Sequence, residues 1–145
     1  MEAAVVLPMM LILTLGTIEM GTALRASTIM QSSVREAGRL VSMKWGNIVA
    51  DGDTPNGKVE RDLRNFVTAS GLPGDDLVVT ITHADGAKQG QNFDISDSSN
   101  DLEMVKIQIG LPYSSISLFP TRYMGSSTVS ASLTMRAGLS GGLSQ

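Results

Sequence analysis

Two carboxylates stand where carboxylates are rare. Glu2 and Glu19 flank and interrupt an apolar run, and between Ala3 and Leu24 Glu19 is the sole ionisable side chain. A carboxylate among apolar groups is costly unless it reaches an interface or meets a cation or hydrogen-bond donor. The pair therefore points to membrane or subunit contact rather than to catalysis. The candidates for catalysis are thinner. His83 is the single histidine, and strand-like alternation sets it on an apolar face or at a strand end, as expected of a packed structural residue. Asp75 and Asp76 adjoin each other at a loop-to-strand boundary without a partner motif, and neither a Gly-Xaa-Ser-Xaa-Gly elbow nor a phosphate loop occurs. With no Cys there is no thiolate zinc site, disulfide or cysteine nucleophile. The expectation is a protein that is not an enzyme and carries no cofactor.

Two acidic segments bear on metals. Asp51-Gly52-Asp53-Thr54-Pro55-Asn56-Gly57 starts like a calcium loop, but Pro55 takes the fifth position and Gly57 comes one place late. It reads as a turn that ends one helix before the next. Asp94, Asp97, Asp101 and Glu103 lie in a long polar stretch and read as a disordered acidic loop rather than a cation site. No metal ligands are assigned.

The elements that hold these residues follow from the distribution of apolar weight. The chain has 145 residues, 42% hydrophobic and 17% charged, with a formal net charge of −3. That length allows one small folded unit, and the acidic balance excludes a counterion-releasing nucleic-acid surface. As a helix, Ala3 to Leu24 reaches about 33 Å, enough to cross a bilayer core. Glu2 and Glu19 would then lie about 26 Å apart, near its two faces. Beyond Leu24 the helix continues as an amphipathic segment to residue 49. Met30, Val34, Ala37, Val41, Trp45 and Ile48 form its apolar stripe, opposite Arg35, Arg39 and Lys44. A second helix is predicted from Lys58 to Ala69, with Val59, Leu63, Phe66 and Val67 on one face packed on a sheet. Period-two alternation predicts strands at Leu77 to His83, Val105 to Leu111 and Val129 to Met135, antiparallel with one solvated face. The fold class is α+β: a long N-terminal helix, transmembrane then amphipathic, with a small antiparallel sheet and one further helix. Residues 1–24, 25–49 and 50–145 make up its three regions, and the tail from Gly138 is expected to be unstructured.

Residue chemistry leaves three readings of the first helix. A cleaved secretory signal finds small residues at Gly21-Thr22-Ala23 but lacks a basic region ahead of the apolar run. The others are an ordinary anchor and a helix that serves as both anchor and filament core. By the positive-inside rule, Arg25, Arg35, Arg39 and Lys44 after the span would put the C-terminal part in the cytoplasm.

The residues themselves resemble a known family. Glu2 with Ala-Ala-Val-Val-Leu-Pro8, the run Met9 to Leu15, and Gly16-Thr17-Ile18-Glu19-Met20-Gly21 are similar to the N-terminal signature of TadE-like minor pilins of the tight-adherence (Tad) pilus system. Val34-Arg35-Glu36-Ala37-Gly38-Arg39 resembles that family's Arg-Glu-Gly-Ala-Arg-type helix segment, and residues 105–113 with 129–136 resemble its two closing strands. The resemblance implies a pseudopilin of a type IV pilus, acting in assembly of an adhesive surface filament. It implies a single-pass protein of the cytoplasmic membrane with its C-terminal domain outside, and a place in the extracellular pilus. Its partners would be other pilin subunits, the membrane-embedded assembly machinery, lipid and, where a leader precedes Glu2, prepilin peptidase, with no nucleic acid among them. Glu2 would pair with the N-terminal ammonium of an adjacent subunit. Pro8, Gly16, Glu19 and Gly21 would lie in subunit contacts, and Arg35, Glu36, Gly38 and Arg39 would form the helix signature.

Overall fold

The computed structural model describes residues 3–45, 53–117 and 126–140. Helix α1, Ala3–Val41, is 39 residues long, about 58 Å from end to end. Its two halves are built from different sequence. Side chains at positions 4–18 are exposed all round, whereas Ala26, Met30, Val34, Ala37 and Val41 recur every three or four residues and are buried. From Met30 to Val41 that stripe is the predicted one, Ala26 extends it by a turn, and it forms one wall of the core.

The helix ends at Val41, short of the expected residue 49. The stop comes from the far end of the chain. The Ser42 N–H closes on Gly38 O at 3.0 Å and Met43 N–H on Leu40 O at 3.1 Å, a tightened last turn. Gly138, just past the last strand, then donates to the Val41 carbonyl at 3.4 Å. It lies so close that a Cβ there would sit 2.5 Å from the Ser42 carbonyl oxygen. Trp45 is still buried, as part of the connection and not of the helix. Ile48 lies outside the described residues.

Helix α2, Pro55–Ala69, starts three residues before the predicted Lys58. Thr54 caps it, its hydroxyl accepting from the Gly57 N–H at 3.1 Å, and Pro55 occupies the first turn, where its missing N–H costs nothing. Val59, Leu63 and Val67 are buried, but Phe66 is 38% exposed. The helix packs chiefly on α1 and on the 3-10 turn Gly74–Asp76, not on the sheet as expected. This shifts the buried face and leaves Phe66 outside it.

Strands β1 (Val78–His83), β2 (Met104–Pro112) and β3 (Thr128–Arg136) form an antiparallel meander in the order β1-β2-β3. Each lies within one residue of its predicted limits. Val105, Ile107, Ile109 and Leu111 of β2 are buried on one face, and the α1 stripe packs across this face against β2 and β3. Thr80, Gln108, Ser130, Ser132 and Thr134 face solvent. Helix on one side and water on the other account for the clean alternation.

The connection from β1 to β2 is ordered, against the expected disorder. Asn56 of α2 holds it from both sides of its amide, its Nδ2 donating to Phe93 O at 2.7 Å and its Oδ1 accepting from the Ile95 N–H at 2.9 Å. Phe93 and Ile95 are thereby set into the core. Of the tail, residues 138–140 are described, and the Ser140 N–H donates to Asp101 Oδ1 at 2.8 Å.

Candidate membrane-anchor and assembly site

The apolar half of α1 is a rod of Val, Leu, Ile and Met with no domain against it. Its most apolar 18-residue stretch has a mean hydropathy of 1.8, none of it buried, so length and composition fit a single-pass anchor. Its few polar side chains are bonded within the helix. Thr14 donates to Met10 O at 2.7 Å, Thr17 to Thr14 O at 2.8 Å and Thr22 to Ile18 O at 3.2 Å. Hydroxyls satisfied by the helix's own backbone can enter an apolar phase without losing a partner. Pro8 sits in the second turn, where it leaves the Ala4 carbonyl without its helical N–H partner.

Two of the predicted contact residues, Gly16 and Gly21, do not share a face. Gly16 and Gly21 both lie in open space, with nothing within 4 Å of a Cβ built on either. Five positions at about 100° each put them about 140° apart around the axis, so one neighbouring helix cannot use both for close approach. Glu2 lies outside the described residues.

Glu19 is half-buried, and the domain buries it. The Tyr113 hydroxyl donates to Glu19 Oε1 at 2.7 Å, and the Ser117 hydroxyl donates to the same oxygen. Both belong to the turn that leaves β2, the 3-10 turn Tyr113–Ser115 and the residues after it. The turn is anchored by the Tyr113 N–H on Ser127 O at 2.8 Å and by the Ile116 and Ser117 N–H groups on Tyr113 O. Burial, and then the hydrogen bond to Glu19, push the Tyr113 phenol above its usual pKa. Tyr113 and Ser117 were not among the residues singled out from sequence. They lie 94 and 98 positions from Glu19 in a stretch with no periodic pattern.

The helix signature divides by face. Gly38 is buried against β3, where a Cβ would lie 2.5 Å from Leu133 Cδ2 and 2.8 Å from Met135 Sδ. The absent side chain lets helix and strand approach. On the opposite side Arg39 forks onto Glu36, with Nε 3.0 Å from Oε1 and 3.1 Å from Oε2. The guanidinium holds the Glu36 carboxyl below its usual pKa. Arg35 is exposed.

Several of the remaining acids have partners. Asp53 pairs with Arg61, and Asp97 accepts from the Ser99 N–H at 2.9 Å. His83 Nδ1 lies 3.0 Å from Glu103 Oε2, and its buried ring packs at 4.8 Å on Phe93. Among the described residues no group of three or more His, Cys, Asp or Glu could hold a metal ion. No curated protein and no solved structure matches the chain. Residues 1–39, covering the apolar rod, Glu19 and most of the core-facing stripe, match the family model of TadE-like proteins, so over this segment the chain is similar to that family.

Proposed function

We propose that this chain is a minor pilin, or pseudopilin, that takes part in assembling a Tad-type adhesive pilus and is stored in the cytoplasmic membrane with its C-terminal domain outside. The carrying observation is that one unbroken helix is exposed and apolar at positions 4–18 and core-forming from Ala26 onward. Such a helix can trade lipid contacts for contacts with the equivalent helices of other pilins without refolding the domain. The work is assembly, not catalysis. The TadE-like match over residues 1–39 supports the pilus context over an unrelated membrane anchor.

A secreted module with a removed signal fits the fold less well. Cleavage near Gly21-Thr22-Ala23 would cut α1 just before Ala26 and strip Glu19 from Tyr113 and Ser117. In the pilin reading Glu2 pairs with the N-terminal ammonium of an adjacent subunit and sets axial register. The test is the native protein's N-terminus by mass spectrometry, with its distribution between membrane, soluble and sheared-filament fractions. A membrane-bound form retaining Glu2 and the apolar run, with pilus loss on gene deletion and reduced assembly in Glu2→Ala, is expected. A soluble form starting at Leu24 would overturn the proposal.

A further inference from the structure

The hydropathy of α1 sets the end of the membrane span at Leu24; the domain sets it elsewhere. Side chains at positions 4–18 are exposed, and Glu19 is the first half-buried one, followed by half-buried Thr22 and Ala23 and buried Ala26. From Glu19 to Arg25 the helix rises about 9 Å. If the hydrocarbon boundary lay at Leu24, the turn beside Glu19 would be carried into the hydrocarbon by nearly that distance. That turn is irregular backbone with an exposed Ser114, and lipid-exposed irregular backbone is not tolerated at that depth. The end of α2 would follow it to the hydrocarbon edge, because Arg25 Nη2 reaches the Ser70 carbonyl at 3.4 Å.

We propose that Glu19 marks the hydrocarbon boundary in the membrane-stored subunit, and that the turn over residues 113–117 is the face of the domain seated on the phospholipid headgroups. This rests on the membrane-stored pilin reading above. Tyr113 and Ser117 bond the Glu19 carboxyl at the depth where a charge first becomes tolerable. Met20 and Leu24, 64% and 62% exposed, lie in the headgroup layer. Arg25 is exposed one and a half turns above Glu19, level with lipid phosphates. The exposed helix at residues 4–18 accounts for about 22 Å of a typical core of about 30 Å.

The chain has no cysteine, so single substitutions accept a fluorophore at one site each. Ile12→Cys, Leu24→Cys and Ser114→Cys change exposed positions and leave the core intact. The full chain is reconstituted in vesicles of equimolar phosphatidylcholine and phosphatidylglycerol and quenched by nitroxides on the lipid headgroup or at mid-chain. Mid-chain quenching should dominate at Ile12 and headgroup quenching at Leu24 and Ser114, so that the ratio inverts along the helix. Mid-chain quenching at Leu24 and Ser114 would overturn the proposal by burying the turn. Quenching at Ile12 with none at Ser114 would overturn it by lifting the domain off the surface. No quenching at Ile12 would refute membrane storage itself, and the boundary with it.

Discussion

The phenolic hydroxyl of Tyr113 donates to Glu19 Oε1 at 2.7 Å, joining the apolar helix to the domain across 94 positions of sequence. This bond fixes where the helix leaves the domain. Tyr113→Phe should cost about 1 kcal/mol, the usual net worth of one hydrogen bond. Glu19→Ala should cost more, because it also strands the buried Tyr113 hydroxyl and removes the acceptor of Ser117. Urea unfolding in detergent, followed by the fluorescence of the single tryptophan, measures both; equal stability in all three proteins would show that the contact contributes nothing.

The same contact governs alkaline behaviour. Burial and the hydrogen bond to Glu19 raise the Tyr113 pKa, so folding favours the neutral phenol. A folded pKa above the unfolded one gives stability that is complete below the unfolded value, about 10 for tyrosine, and lost as pH rises through the folded value. Ultraviolet titration in a Tyr123→Phe background isolates Tyr113. Its midpoint should lie above that of a free tyrosine and move down in Glu19→Ala.

The strands and the α1 stripe were legible in the sequence because each pattern has a local cause. A sheet with water on one face and a helix on the other imposes period two on Ile107, Ile109 and Leu111, and the same core imposes helical spacing on Met30, Val34 and Ala37. What sequence pattern missed depends on distant contacts. Gly138 ends α1 from nearly a hundred residues away, Tyr113 finds Glu19 from a stretch without periodicity, and Asn56 orders a loop that composition marked as disordered. The displaced start of α2 is different, since Thr54 followed by Pro55 is a local capping signal. It was overshadowed by the turn-rich run around it.

The glycines of the TadE-like segment should respond in opposite senses. Gly16→Ala and Gly21→Ala place a methyl in open space and should stabilise the helix by about 0.5 to 1 kcal/mol. Gly38→Ala gains the same propensity but drives its methyl into Leu133 and Met135, whose flexible ends must turn aside. A net loss of about 1 kcal/mol is expected, and a larger loss for Gly38→Leu. Thermal melts of the purified variants check the order. Reduced filament yield in Gly16→Ala with undiminished stability would assign that position to subunit packing.

Truncation should separate the two halves of α1, because the core begins at Ala26 and the clasp at Glu19. Removing residues 1–18 takes away no buried side chain among the described residues, and should leave a soluble domain that unfolds cooperatively. Removing residues 1–24 also deletes Glu19 and half-buried Thr22 and Ala23, so the loss should exceed that of Glu19→Ala while leaving a cooperative fold. Removing residues 1–31 takes Ala26 and Met30 from the core, and a buried Met alone is worth about 2 to 5 kcal/mol. That deletion should abolish cooperative folding in a domain of this size, whose whole stability is about 5 to 15 kcal/mol. Near-ultraviolet circular dichroism with amide exchange distinguishes the three. If the shortest truncation already unfolds the domain, the apolar half of α1 supports the fold and is not free to exchange lipid for neighbouring subunits.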